Sequence, residues 1–152
     1  MRRPQVIALI VLAIVLFIVI SALLARVFSA ESAERSAITS LVKAEARGDR
    51  AYVIDQISGC ASDPSCRERI AADVAAIEHR GSVSILTLQP SSSFSPTGSL
   101  GTARVAWDVG GSLPITQCVR VRRTGNALSG LRVQLLAITP RLQADATCPA
   151  RF

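Results

Sequence analysis

An unbroken apolar run near the N-terminus limits this chain more than any other feature. Val6 to Leu24 is 19 residues with only Ser21 weakly polar, and Arg2 and Arg3 precede it. As a helix the run measures about 28 Å, close to the roughly 30 Å hydrocarbon thickness of a bilayer. It reads as an uncleaved signal anchor. A cleaved signal peptide is the competing reading, but its apolar region is normally about 7–15 residues and ends in a small-x-small site. Cleavage after Ala30 puts Phe28 at the −3 position, and cleavage after Ala25 puts Leu23 there. Arg2, Arg3 and the terminal amine outnumber Arg26 on the other flank, which favours a cytoplasmic N-terminus. The run has no ionisable residue and no GxxxG pattern, so a passive tether is preferred over a transport or helix-pairing role. The expected division is a cytoplasmic stub and anchor over residues 1–28 and an extracytoplasmic domain over 29–152.

The 127 residues from Arg26 to Phe152 suffice for one domain with a core of its own. The chain carries a net charge of +6, so +4 remains once Arg2 and Arg3 are set aside. Beyond a membrane that balance suits anionic lipid, cell-wall polymer or an acidic protein face, and not nucleic acid. Lys43 is the only lysine beside 16 arginines, a usage that suggests a GC-rich bacterial genome.

The four cysteines are Cys60, Cys66, Cys118 and Cys148. An even number outside the membrane reads as a disulfide framework, with three connectivities open. Cys60–Cys66 and Cys118–Cys148 are favoured, the first closing a short loop and the second tying a strand to the C-terminal tail. A metal site is disfavoured because there is no CxxC and only one histidine. A redox pair lacks its spacing motif too, and no cofactor is expected.

A helix is expected from a cap within Ser29–Ser32 to about Arg47, with Ala33, Ala37, Ile38, Leu41, Val42 and Ala44 as its apolar stripe. Asp49 caps a short second helix carrying Tyr52, Val53, Ile54 and Ile57, which Gly59 ends. Asp63-Pro64 opens a third, to about His79, with Ile70, Val74 and Ile77 on one face. Strands are expected over Val83–Leu88, Leu100–Val109, Ile115–Arg123 and Leu128–Ile138, with Gly130 a candidate bulge. Gly110-Gly111 and Thr124-Gly125-Asn126 read as turns, and the proline-bounded Pro90–Pro96 as a solvated loop. The expected fold class is α+β: a transmembrane helix, then about three helices packed on a four-stranded antiparallel curved sheet.

This element order, with the Ala44-Glu45-Ala46-Arg47-Gly48-Asp49 break, resembles the nuclear transport factor 2-like superfamily over about Ser32 to Ile138. With a single N-terminal anchor, the chain is similar to extracytoplasmic members of that superfamily. These include mammalian-cell-entry-associated membrane proteins and inner-membrane assembly subunits of type IV secretion. The resemblance implies an interaction module, although no signature residue of either group carries over. The superfamily's ketosteroid isomerases and dehydratases imply the rival: a pocket-bearing binder of small, lipid-like ligands, or a small enzyme.

Candidate residues follow from these readings. His79, the only histidine, sits by a helix C-terminus beside Arg80, where it complements the helix dipole. An acid/base trio would need Asp108, Tyr52 and His79 to converge, yet strand alternation puts Asp108 opposite Trp107, the expected core residue. Ser91, Ser92 and Ser93 lack a neighbouring base. Arg120, Arg122 and Arg123, with Arg104 and Arg132 on adjacent strands, read either as solvated strand faces or as a basic docking stripe for an anionic partner or headgroups. The combined expectation is a non-catalytic, membrane-anchored assembly module of the cell envelope. Trp107, Val105, Val121 and Val133 would fill the space where the rival needs a cavity.

Overall fold

The computed structural model describes residues 3–152 except 80, 92–98, 127–129, 144–145 and 151. Helix α1 runs from Arg3 to Ala46, 44 residues without interruption. No glycine or proline lies between Pro4 and Gly48, so nothing in the chain breaks or kinks it. The separate helix expected to start within Ser29–Ser32 is therefore the second half of α1. Ser29 and Ser32 do not cap a new helix, because the residues before them are already helical and Ala, Glu, Arg and Ser only change what the helix faces. Pro4–Ala25 is long and apolar enough to cross a membrane by length and composition, and none of it is buried.

Gly48 ends α1. Its N–H donates to Glu45 O and that of Asp49 to Ala44 O, a Schellman closure with Gly48 at φ +75°. A Cβ at Gly48 would lie 2.6 Å from the Glu78 carboxylate carbon, so glycine is needed here twice over. Asp49 then caps α2 (Arg50–Gln56) by accepting the Tyr52 N–H at 3.1 Å. A short 3₁₀ turn, Cys60–Ser62, leads to α3 (Pro64–Ile77), capped by Asp63 with proline in its first turn. The Ser65 hydroxyl and amide bind the Asp63 carboxylate and hold its pKa below the usual value. Ile57 leaves α2 in extended conformation and bridges Leu135, and Cys60 bonds Cys66 across the α2–α3 junction.

The four strands form one open antiparallel meander, β1 (Val83–Gln89), β2 (Ser99–Val109), β3 (Ile115–Asn126) and β4 (Gly130–Ile138), in that order. The fold is α+β, as the order of elements implies. Gly110 and Gly111 both have positive φ and form the β2–β3 hairpin, with the Ser112 N–H on Val109 O. Thr124, Gly125 and Asn126 are not a turn. They pair with Arg132, Leu131 and Gly130, because β4 continues the ladder alongside them. Gly130 is likewise in register, and the bulges lie at Ile85/Thr87 and Arg120/Val121. Ser92, Ser93, Leu128 and Arg80 lie outside the described residues.

Alternation on β2 puts Ala103, Val105, Trp107 and Val109 inward, all buried, as are Val119 and Val121 of β3. Opposite them lie Ile38, Leu41 and Val42 of α1, Val53 of α2, and Ile70, Val74 and Ile77 of α3. The sheet's other face is partly covered. Cys118 bonds Cys148 and Leu142 bridges Thr116, so the C-terminal tail runs across the outside of β3.

Candidate functional site

Among the described residues two polar clusters lie inside the domain, both built on α1. Glu34 and Glu45 are 11 residues apart, three helical turns, so they share a face with Ile38 and Leu41. Both are fully buried. The face packs on β3, where Gln117 and Arg123 alternate inward with Ile115, Val119 and Val121. Helix and strand therefore run in opposite directions, with Glu34 meeting Arg123 and Glu45 meeting Gln117.

At the first cluster Arg123 Nε donates to Glu34 Oε2 at 2.8 Å, and a second guanidinium nitrogen completes the ion pair. The Ser91 N–H and hydroxyl donate to the other lone pairs, at 2.7 and 3.0 Å. Every carboxylate oxygen thus has a donor and the charge has its counter-ion. Ser91 is buried at the end of β1, not solvated as expected of that loop. Arg123 faces the core and belongs to no surface stripe.

At the second cluster the Trp107 indole N–H donates to Gln117 Oε1 at 2.8 Å. Because indole only donates, it turns the amide so that Gln117 Nε2 faces Glu45, donating to its carboxyl oxygens at 3.0 and 3.2 Å. The same nitrogen reaches Thr139 O at 3.1 Å, and the Thr139 hydroxyl accepts the Cys118 N–H. No cation joins this chain among the described residues. Burial pushes the Glu45 carboxyl up to about 7, against the amide hydrogen bond and with the help of nearby Asp73. Burial also raises Asp73, opposed by Arg69, and Asp73 Oδ2 has no hydrogen-bond partner among the described residues.

The residues singled out from sequence do not meet. Asp108 pairs with Ser84 on the outer sheet face, Tyr52 is exposed on α2, and His79 is exposed beyond the end of α3, its N–H bound to Ala46 O. His79 does border a cleft of about 220 Å³ with Asp73, Ile77, Ile115, Pro140 and Arg141. Arg104, Arg120, Arg122 and Arg132 all lie on the outer face. Arg104 lines a cleft of about 250 Å³ with Thr87, Gln89 and Thr116. Arg120 donates to Ala150 O and stacks 4.9 Å over the Phe152 ring, so the tail holds it. Arg122 and Arg132 are exposed and diagonal across the β3–β4 pair. No cluster of three or more potential metal ligands occurs among the described residues.

Sequence reasoning missed Glu34, Glu45, Gln117 and the inward Arg123. The signal was present: each polar residue falls on the apolar face by the same period that identifies the core. No protein-family model matches the chain, and neither a curated protein nor a solved structure matches it significantly.

Proposed function

We propose that the chain is a single-pass membrane protein with a cytoplasmic N-terminus. Its extracytoplasmic domain serves as a non-catalytic interaction or assembly module of a bacterial cell-envelope complex. The observation that carries this reading is Trp107. It is fully buried and hydrogen-bonded, and with Val105, Val119 and Val121 it fills the space between sheet and helices. An isomerase-like site needs that space for substrate and a convergent acid and base. Two disulfides support an oxidising compartment, and α1 joins the apolar run to the core without a hinge. Kinship with the nuclear transport factor 2-like superfamily, in the form of mammalian-cell-entry-associated membrane proteins, is part of the same proposal. It rests on element order and the Gly48-Asp49 junction.

One observation favours the ligand-binding alternative: Asp73, His79 and Arg141 share a cleft. At about 220 Å³ it falls below the roughly 300–1,000 Å³ typical of small-molecule sites, which supports the module over a substrate pocket. The test is made in the native membrane. Intact mass of the extracted protein should include the apolar run, and protease added outside the cell should digest the domain. Cross-linking in intact cells should return one stoichiometric protein partner even after Asp73→Asn and His79→Ala. A secreted form beginning near Arg26 or Glu31 contradicts the anchor. A domain that purifies alone with a retained small molecule contradicts the module.

A further inference from the structure

The two clusters fix which end of the domain faces the apolar half of α1. Glu34 meets Arg123 near the end of β3 and Glu45 meets Gln117 near its start, so the helix is pinned to the sheet at two points about 16 Å apart. With no glycine or proline in between, the direction of the Pro4–Ala25 segment is the direction of this pinned half. The sheet end that points along it holds the end of β1, the start of β2, the end of β3 and the start of β4.

Ala25, the end of the apolar segment, lies nine residues before Glu34, about 13 Å along the axis. The headgroup layer occupies roughly 5–8 Å of that, and surface potential decays over about 8 Å beyond it. The charges at this end are unequally matched. Glu31 pairs with Arg35, and Glu34 with Arg123. Arg122 and Arg132 remain exposed on the outer face, with Leu100, half exposed, opposite Arg122.

We propose that this end of the sheet is a docking surface for anionic lipid headgroups, held by Arg122 and Arg132. The proposal rests on the reading of Pro4–Ala25 as a membrane span. It gives the basic outer face a partner and sets the domain upright on the bilayer. The geometry argues for lipid over an acidic protein: the two arginines lie at the sheet end nearest the span, about level with Glu34 and so within one headgroup layer and one screening length of it.

Amide hydrogen exchange on the full chain in lipid nanodiscs tests this. One set of discs is phosphatidylcholine, and the other is one part phosphatidylglycerol to two parts phosphatidylcholine. Residues 99–101 and 122–126 should exchange about threefold or more slowly in the anionic discs, while the turn at 110–113 is unchanged. The difference should vanish in about 0.5 M sodium chloride, where screening shortens to a few ångströms, and in R122Q/R132Q. The single variant Arg132→Gln should lose part of it. An unchanged 110–113 turn reports that each variant is folded. Equal exchange in both lipids overturns the proposal, as does a difference that survives R122Q/R132Q. Equal protection by polyglutamate added to phosphatidylcholine discs also overturns it, in favour of an acidic partner. Failure of the span reading shows separately, as rapid exchange over Val6–Leu24 in both discs.

Discussion

Glu34 and Glu45 occupy the same face of one helix, equally buried, and differ only in what the sheet presents to them. Glu34 meets a guanidinium and two donors from Ser91. Glu45 meets the amide of Gln117, with Asp73 nearby in place of a cation. At Glu34 an arginine supplies counter-charge, and the ion pair acts as one half of a lock. An amide supplies a hydrogen bond but no charge, so the proton itself becomes the means of neutralising Glu45 near neutral pH. Burial is common to both sites. The partner decides whether the buried acid is clamped by an ion pair or, as at Glu45, has its pKa raised.

The largest expected effect breaks the first site. Arg123→Ala leaves Glu34 buried without its cation and should destabilise the domain by about 3–5 kcal/mol, measured by denaturant unfolding followed by Trp107 emission. The paired change of Glu34→Gln with Arg123→Leu should recover much of that loss, because no unpaired charge is left inside. A small cost for Arg123→Ala alone would show that the clamp is dispensable.

The second site should make stability depend on pH. Glu45 has its pKa raised from 4.5 to about 7 in the folded domain, so the fold holds a proton that the unfolded chain releases. Its contribution is fully present below about pH 4.5 and is lost as pH rises through 7. Unfolding free energy should therefore fall by up to about 3 kcal/mol between pH 4.5 and 8. Asp73, also raised, adds in the same direction. Glu45→Gln should flatten most of this slope and leave the domain more stable than wild type at pH 8. An identical pH profile in the variant would remove Glu45 as its source.

A smaller effect separates the disulfides. Cys118–Cys148 spans 30 positions and Cys60–Cys66 spans 6. Loop-closure entropy makes the longer link worth about 1.4 kcal/mol more. Cys118 also neighbours Gln117 and is tied to Thr139, so replacing Cys118 and Cys148 by alanine should loosen the second cluster. Replacing Cys60 and Cys66 should not shift the pH profile.

The strand starts at Val83 and Ile115, the strand ends at Val109 and Ile138, the Gly110-Gly111 hairpin, the Asp63-Pro64 helix start and the order of elements were legible because each rests on local chemistry or a period of two. The interior clusters were half legible. Counting turns from Ile38 and Leu41 puts Glu34 and Glu45 on the core face, and alternation from Val119 and Val121 does the same for Gln117 and Arg123. What counting cannot supply is which of them meet, since that depends on the antiparallel run of α1 along β3. The helix expected to begin near Ser29 failed for another reason: a residue able to cap a helix does not start one where the preceding residues are already helical. Thr124-Gly125-Asn126 failed because strand pairing with β4 outweighed local turn preference.

The central claim is that the space between sheet and helices is filled, leaving the surface and the anchor as the working parts. Trp107 is the only tryptophan, so its emission reports on that space alone. The full chain in lipid should give blue-shifted emission, protected from acrylamide and unmoved by steroid-like or fatty-acid ligands. Solvent-exposed emission, or a saturable shift on adding such a ligand, would contradict it and place a binding pocket where Trp107 now packs.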